Sequence, residues 1–78
     1  MAEFFLVNKS GEIVKLNKGI PEAQVNELLG MEFKTEPTHG AGDTKRVYSF
    51  GSNESNQIIY KLLLRSGLLE WVMKVSKY

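Results

Sequence analysis

Residues 44–64 read TKRVYSFGSNESNQIIYKLLL, and the way this stretch is divided decides the fold. It opens as a strand over 44–50, with Arg46, Tyr48 and Phe50 sharing one face of an extended chain. Gly51 breaks the strand, and Ser52 is a good helix N-cap because its hydroxyl can accept from a free backbone N–H. Ile58, Ile59, Tyr60, Leu62, Leu63 and Leu64, placed at about 100° per residue, cover well over half the circumference of a helix. The polar stripe left over is Glu54, Gln57, Lys61 and Arg65. This spacing predicts a second helix from Ser52 to about Ser66, ended by a left-handed Gly67. One sheet would cover Ile58, Ile59, Leu62 and Leu63, leaving Tyr60 and Leu64 on an apolar flank.

Within the stretch, VYSFGSNESNQ (47–57) resembles the VYSFGxNxxGQLG core of the regulator-of-chromosome-condensation repeats. Asn56 stands where that pattern has glycine, and IIYK replaces its leucine-glycine. No second copy follows at a fixed period, and a lone propeller blade cannot bury its own face. The likeness therefore implies nothing for the fold or function.

Working outward, EFFLVN (3–8) and EIVKLN (12–17) form a hairpin pattern around KSG. PEAQVNELLG (21–30) reads as a helix with Pro21 at its first position, Gly30 past its end, and Val25, Leu28 and Leu29 as its apolar stripe. MEFKTE (31–36) is a strand, PTHGAGD (37–43) a loop, and LLEWVMKVSK (68–77) a last strand with Leu69, Trp71, Met73 and Val75 on one face. The expected architecture is a single α+β domain over residues 1–78, order ββαββαβ, with two helices packed on one antiparallel sheet. Its two halves, each a hairpin followed by a helix with a glycine stop, echo one another by pattern, with few identities.

A chain of 78 residues makes one domain, and its core is small enough to favour a staple. The absence of cysteine excludes disulfides and thiolate zinc sites, and a single histidine cannot build an imidazole site alone. Oligomerisation is the staple that remains, so a homo-oligomer is expected. Ten basic and nine acidic residues, for a net charge of +1, exclude a polybasic arm and an acidic nucleic-acid mimic. No apolar run is long enough for a membrane span, and MAEFFLVN has no signal-peptide pattern, so a cytoplasmic protein without membrane contact is expected.

Candidate chemistry is sparse. His39 lies four residues before Asp43 in a loop, the GAG of that loop sits between two strands rather than before a helix, and the glutamates are scattered. The reading is that this is not an enzyme and carries no cofactor or metal. The expected function is a small regulatory protein that binds and occludes a surface of a larger protein, as phage-type inhibitors do, and also self-associates. Tyr60, Leu64, Leu68 and Trp71 are its expected contacts, aromatic rings being common anchors of such patches. An alternative is a single-stranded RNA or DNA binder using Lys34, His39, Lys45, Arg46 and Tyr48, cations for phosphates and rings for bases. A third reading is capture of a small anion such as a nucleotide by the 37–46 loop.

Overall fold

The computed structural model describes residues 2–50 and 58–76. Strands β1 (Glu3–Val7) and β2 (Ile13–Asn17) form an antiparallel hairpin of their own. Its turn is tied by Asn8, whose Oδ1 accepts from the N–H groups of Ser10 (3.0 Å) and Glu12 (2.9 Å). Helix α1 (Glu22–Leu29) follows, with Pro21 just before it as the N-cap residue and Gly30 past its end at a φ of 83°. Then β3 (Lys34–Glu36), β4 (Asp43–Phe50), β5 (Ile58–Arg65) and β6 (Leu68–Ser76) run up and down as a four-stranded antiparallel sheet in chain order.

The order is thus ββαββββ, with two sheets and one helix among the described residues, and not the expected ββαββαβ with two helices. The error lies in the apolar run after Gln57, which is a strand. A continuous apolar segment of four to eight residues cannot be assigned by periodicity alone; length and β-branching must arbitrate. Ile58 to Arg65 is eight residues long and starts with two isoleucines, as a strand buried on both faces would. Its burial alternates, Tyr60, Leu62 and Leu64 being enclosed and Ile59, Lys61 and Leu63 half-exposed. Gly67 does have a positive φ (79°), but so does Ser66 (54°), and the pair forms a two-residue connection between Arg65 and Leu68. Two consecutive left-handed residues make a type I′ turn, the tight connection of a hairpin. The same signal serves a helix stop or a hairpin, and here it serves the hairpin. The internal echo fails with the second helix, and the Gly51 break and Ser52 cap lie outside the described residues.

The core lies between one face of the four-stranded sheet and a layer made of the hairpin and α1. Leu6 and Leu16 enter from the hairpin, Val25 and Leu29 from the helix, and Tyr48, Phe50, Tyr60, Leu62, Leu64 and Leu69 from the sheet. Polar groups fix how the layers sit. The Tyr60 hydroxyl accepts from the Val7 N–H (3.0 Å), hooking the hairpin over β5. Arg46, only 7% exposed, donates through Nη1 to Asn26 Oδ1 (2.6 Å) and lies 3.6 Å from Glu22 Oε2, both on α1. Its guanidinium also covers the Phe33 ring at 4.1 Å. The Tyr48 hydroxyl donates to the Gly30 carbonyl (3.0 Å) and accepts from Arg46 (3.4 Å).

Strand β6 carries the second departure. Leu63 pairs with Trp71 but Leu64 pairs with Leu69, so Glu70 is an extra residue, a β-bulge. The inserted residue flips the phase of the strand. Leu69 points into the core while Trp71, Met73 and Val75 share the opposite face, instead of all four standing together.

Burial raises the pKa of Tyr48 above its ordinary 10.0, against the lowering effect of the Arg46 hydrogen bond and charge. A phenol whose folded value is raised contributes stability that is fully present below the unfolded value and is lost as pH rises through the folded one. Tyr48→Phe should cost about 1 kcal/mol at neutral pH through the lost hydrogen bonds, and should make the alkaline decline above pH about 10 shallower. Urea unfolding followed at neutral and alkaline pH measures both. Arg46→Ala should cost more, about 2–4 kcal/mol, because it also strips the stacked guanidinium from Phe33.

Candidate functional site

The hairpin and α1 cover one face of the four-stranded sheet, and no described element lies over the other. Cross-strand register maps that open face row by row. Asp43, Arg65 and Leu68 form one row; Glu36, Lys45, Leu63 and Trp71 the next; Lys34, Val47, Lys61 and Met73 the third; Ser49, Ile59 and Val75 the last. Charged side chains stand on β3, β4 and β5, whereas the open-face residues of β6 are all apolar. At the apolar end Trp71 is 57% exposed, Leu68 47% and Met73 45%. Contiguous apolar surface of this kind on a small domain marks a contact surface more often than a neutral one.

Electrostatics sharpen the division. Lys61 Nζ sits 3.2 Å from Glu36 Oε2, and Arg65 Nε 3.1 Å from Asp43 Oδ1. Lys34 and Lys45 have no ion pair among the described residues, so the β3–β4 side presents two uncompensated ammonium groups. A hollow of about 280 Å³ lined by Glu32, Phe33, Lys34, Val47 and Ser49 borders this side. It is of a size to take one partner side chain. Among the described residues, no three histidine or carboxylate side chains converge as a metal-holding group, and no helix is long and apolar enough to cross a membrane.

The sequence-predicted contacts are redistributed by the fold. Leu68 and Trp71 lie on the open face, as surface anchors must. Tyr60 (3% exposed) and Leu64 (0%) are enclosed by the chain's own core, so neither can touch a partner, and the helix flank that grouped all four does not exist. Lys34 and Lys45 stand on the open face, but Arg46 and Tyr48 point from the same strand into the core. The face shared by Arg46, Tyr48 and Phe50 is real and is the buried one. His39 is exposed in the 37–42 connection, whose fold is held by the Thr38 hydroxyl donating to the carbonyls of Gly40 (3.4 Å) and Asp43 (3.1 Å). Leu63, Met73 and Val47 were missed, although placing Lys45 and Val47 opposite the Arg46–Tyr48–Phe50 face requires only the two-residue period of a strand.

Protein-family models, curated proteins and solved structures were all compared with the chain, and none matches. The open face is therefore read from its own geometry.

Trp71 is the chain's single tryptophan, so its fluorescence reports this face alone. In the folded protein its emission should be that of a partly hydrated indole and should remain open to quenching by acrylamide. Substitutions on the two faces should also separate in urea unfolding: Leu62→Ala, on the inner face, costs about 3 kcal/mol, whereas Met73→Lys stays within about 0.5 kcal/mol.

Proposed function

We propose that this chain is a non-enzymatic protein-binding domain that occludes a surface of a larger protein, using the open face of its four-stranded sheet. The observation that supports the reading is the largely uncovered apolar end of that face, where Trp71, Met73, Leu68 and Leu63 lie side by side and Trp71, Leu68 and Met73 stay about half exposed. A tryptophan set among aliphatic neighbours on a rigid sheet loses little conformational freedom on binding and supplies much area, which is the profile of an anchor residue. Lys34 and Lys45 then select for acidic groups at the rim, favouring fast, salt-sensitive encounter more than affinity.

A nucleic-acid occupant is the second reading, favoured by Trp71 sharing the face with Lys34, Lys45 and Lys61. It is weaker because Lys61 is paired with Glu36 and because the rings of strand β4 are buried, leaving one ring where base stacking uses several.

A photo-crosslinking residue at position 73, compared with one at Gln24 on the exposed side of α1, tests the first reading. The expected result is a single protein adduct from position 73 that is absent from position 24 and lost when Trp71→Glu is added; equal adducts from both positions would sink it. Titration of short single-stranded oligonucleotides at low salt tests the second. Strong, salt-sensitive quenching of Trp71 would move the assignment to nucleic acid, and unchanged fluorescence is expected.

A further inference from the structure

The open face of the sheet lacks a layer, and the arrangement of its side chains says what kind of layer fits. Apolar groups run down its β5–β6 side: Leu68 in the first row, Leu63 and Trp71 in the second, Met73 in the third, Ile59 and Val75 in the last. Rows of one face recur every two residues, about 6.6 Å apart, so the stripe is roughly 20 Å long. Two cations of β5 also stand on this face, and both are paired toward β3 and β4. Lys61 Nζ reaches across β4 to within 3.2 Å of Glu36 Oε2 on β3. Arg65 Nε lies 3.1 Å from Asp43 on β4, and its Nη1 is farther, 3.9 Å, from Glu70. Lys34 and Lys45, on β3 and β4, have no ion pair among the described residues. The stripe is therefore about two strands wide, with a cationic flank on its β4 side.

A sheet face, unlike a sheet edge, offers no backbone partners. Whatever covers it must satisfy its own N–H and C=O groups, which rules out a lone extended peptide. Strands lie about 4.8 Å apart and a helix with its side chains is about 10–12 Å across, so one helix covers β5 and β6 and leaves the lysines at its side. A second sheet as wide as this one would also lie over Lys34, Lys45 and the Lys61–Glu36 pair and strip their water. We propose that the element bound here is a single amphipathic α-helix of the partner. Its apolar side meets Leu63, Trp71 and Met73, and an acidic flank meets Lys34 and Lys45.

This rests on the protein-binding reading above and adds the form and charge of what is bound. A helix of about 13 residues spans the stripe from end to end. With it in place β5 is covered on both sides, as a strand of its composition is within a larger domain. A second copy of this chain does not supply the helix. Its own α1 is only eight residues long, Val25 and Leu29 on its apolar side are already buried, and Glu22, Gln24 and Glu27 are among its exposed residues.

Tryptophan-free peptides of about 14 residues test form and charge together, with Trp71 emission as the readout. The probe is a stapled helix with leucines along one face and glutamates on its flanks. One control replaces every glutamate by lysine, and another sets the leucines and glutamates in strict alternation on a covalently closed hairpin. The acidic helix should give a saturable blue shift, with a dissociation constant at least about tenfold below those of both controls. The Lys34→Glu, Lys45→Glu double variant should turn the preference toward the lysine helix; should that chain not fold, Lys34→Gln, Lys45→Gln should abolish it. No saturable shift with the acidic helix overturns the proposal. So do equal binding of the two helices, a hairpin that binds as tightly, or a charge preference unchanged in the double variant. A failed helix beside a single adduct from position 73 overturns the helix and leaves the protein-binding reading intact, so the two failures are told apart.

Discussion

One strand with two greasy faces, in a chain able to cover only one of them, is the constraint on which this structure depends. β5 puts Tyr60, Leu62 and Leu64 on one side and Ile59 and Leu63 on the other. A strand of that composition belongs in the middle of a sheet with layers on both sides. The chain supplies one hairpin and one eight-residue helix, and both lie on the inner side, where they complete the core. A domain of this length buries only about 60% of the surface its unfolded chain exposes. The outer side of β5 is where the deficit falls, and the neighbours that flank Leu63 there, Lys45 and Trp71, shield it only in part.

A single inserted residue decides how that deficit is distributed. Without Glu70 as the extra residue of β6, Leu69 and Trp71 would share a face, and the core would have to take the indole or expose the leucine. The bulge lets Leu69 be fully enclosed and places Trp71 outside, where Phe4 meets it edge-on at 6.1 Å. The same local bend meets the chain between β2 and α1, whose Gly19 and Ile20 bond to Leu69 and whose Pro21 bridges to Leu68. Beside the bulge, backbone hydrogen bonds from this linker therefore tie β6 to the chain between the hairpin and the helix, close to the point where the open face begins.

The parts legible in the sequence are those set by local chemistry. The hairpin around Gly11, the helix between Pro21 and Gly30, strand β4 and the strand character of 68–76 follow from turn residues and short-range alternation. β5 was not legible from pattern, because a run that is apolar on both faces has no period to measure, and a glycine at positive φ ends helices and tight hairpins alike. The length of the run and its paired isoleucines pointed to a strand, against the width of the apolar arc. Of the expected protein contacts, Leu68 and Trp71 reach the surface and Tyr60 and Leu64 do not, since their exposure depended on a helix that is absent. The phase slip at Glu70 is a tertiary event: it follows from which residues β5 presents, and nothing local to LLEWVMK announces it.

On β4 the neighbouring cations Lys45 and Arg46 point to opposite faces, and their chemistry says why only Arg46 is enclosed. The guanidinium of Arg46 is planar, weakly hydrated and rich in donors, so it can be buried if an amide, a hydroxyl and a ring are placed around it, as Asn26, Tyr48 and Phe33 are. An ammonium is more strongly hydrated, and Lys34, Lys45 and Lys61 stand on the open face. Val47 and Leu63 stand beside these cations and are half-buried, whereas the open-face residues of β6, Leu68, Trp71, Met73 and Val75, include no cation. The least protected apolar surface thus lies on β6, the last strand in the order of the sheet, so any contact on this face gains most of its apolar area there.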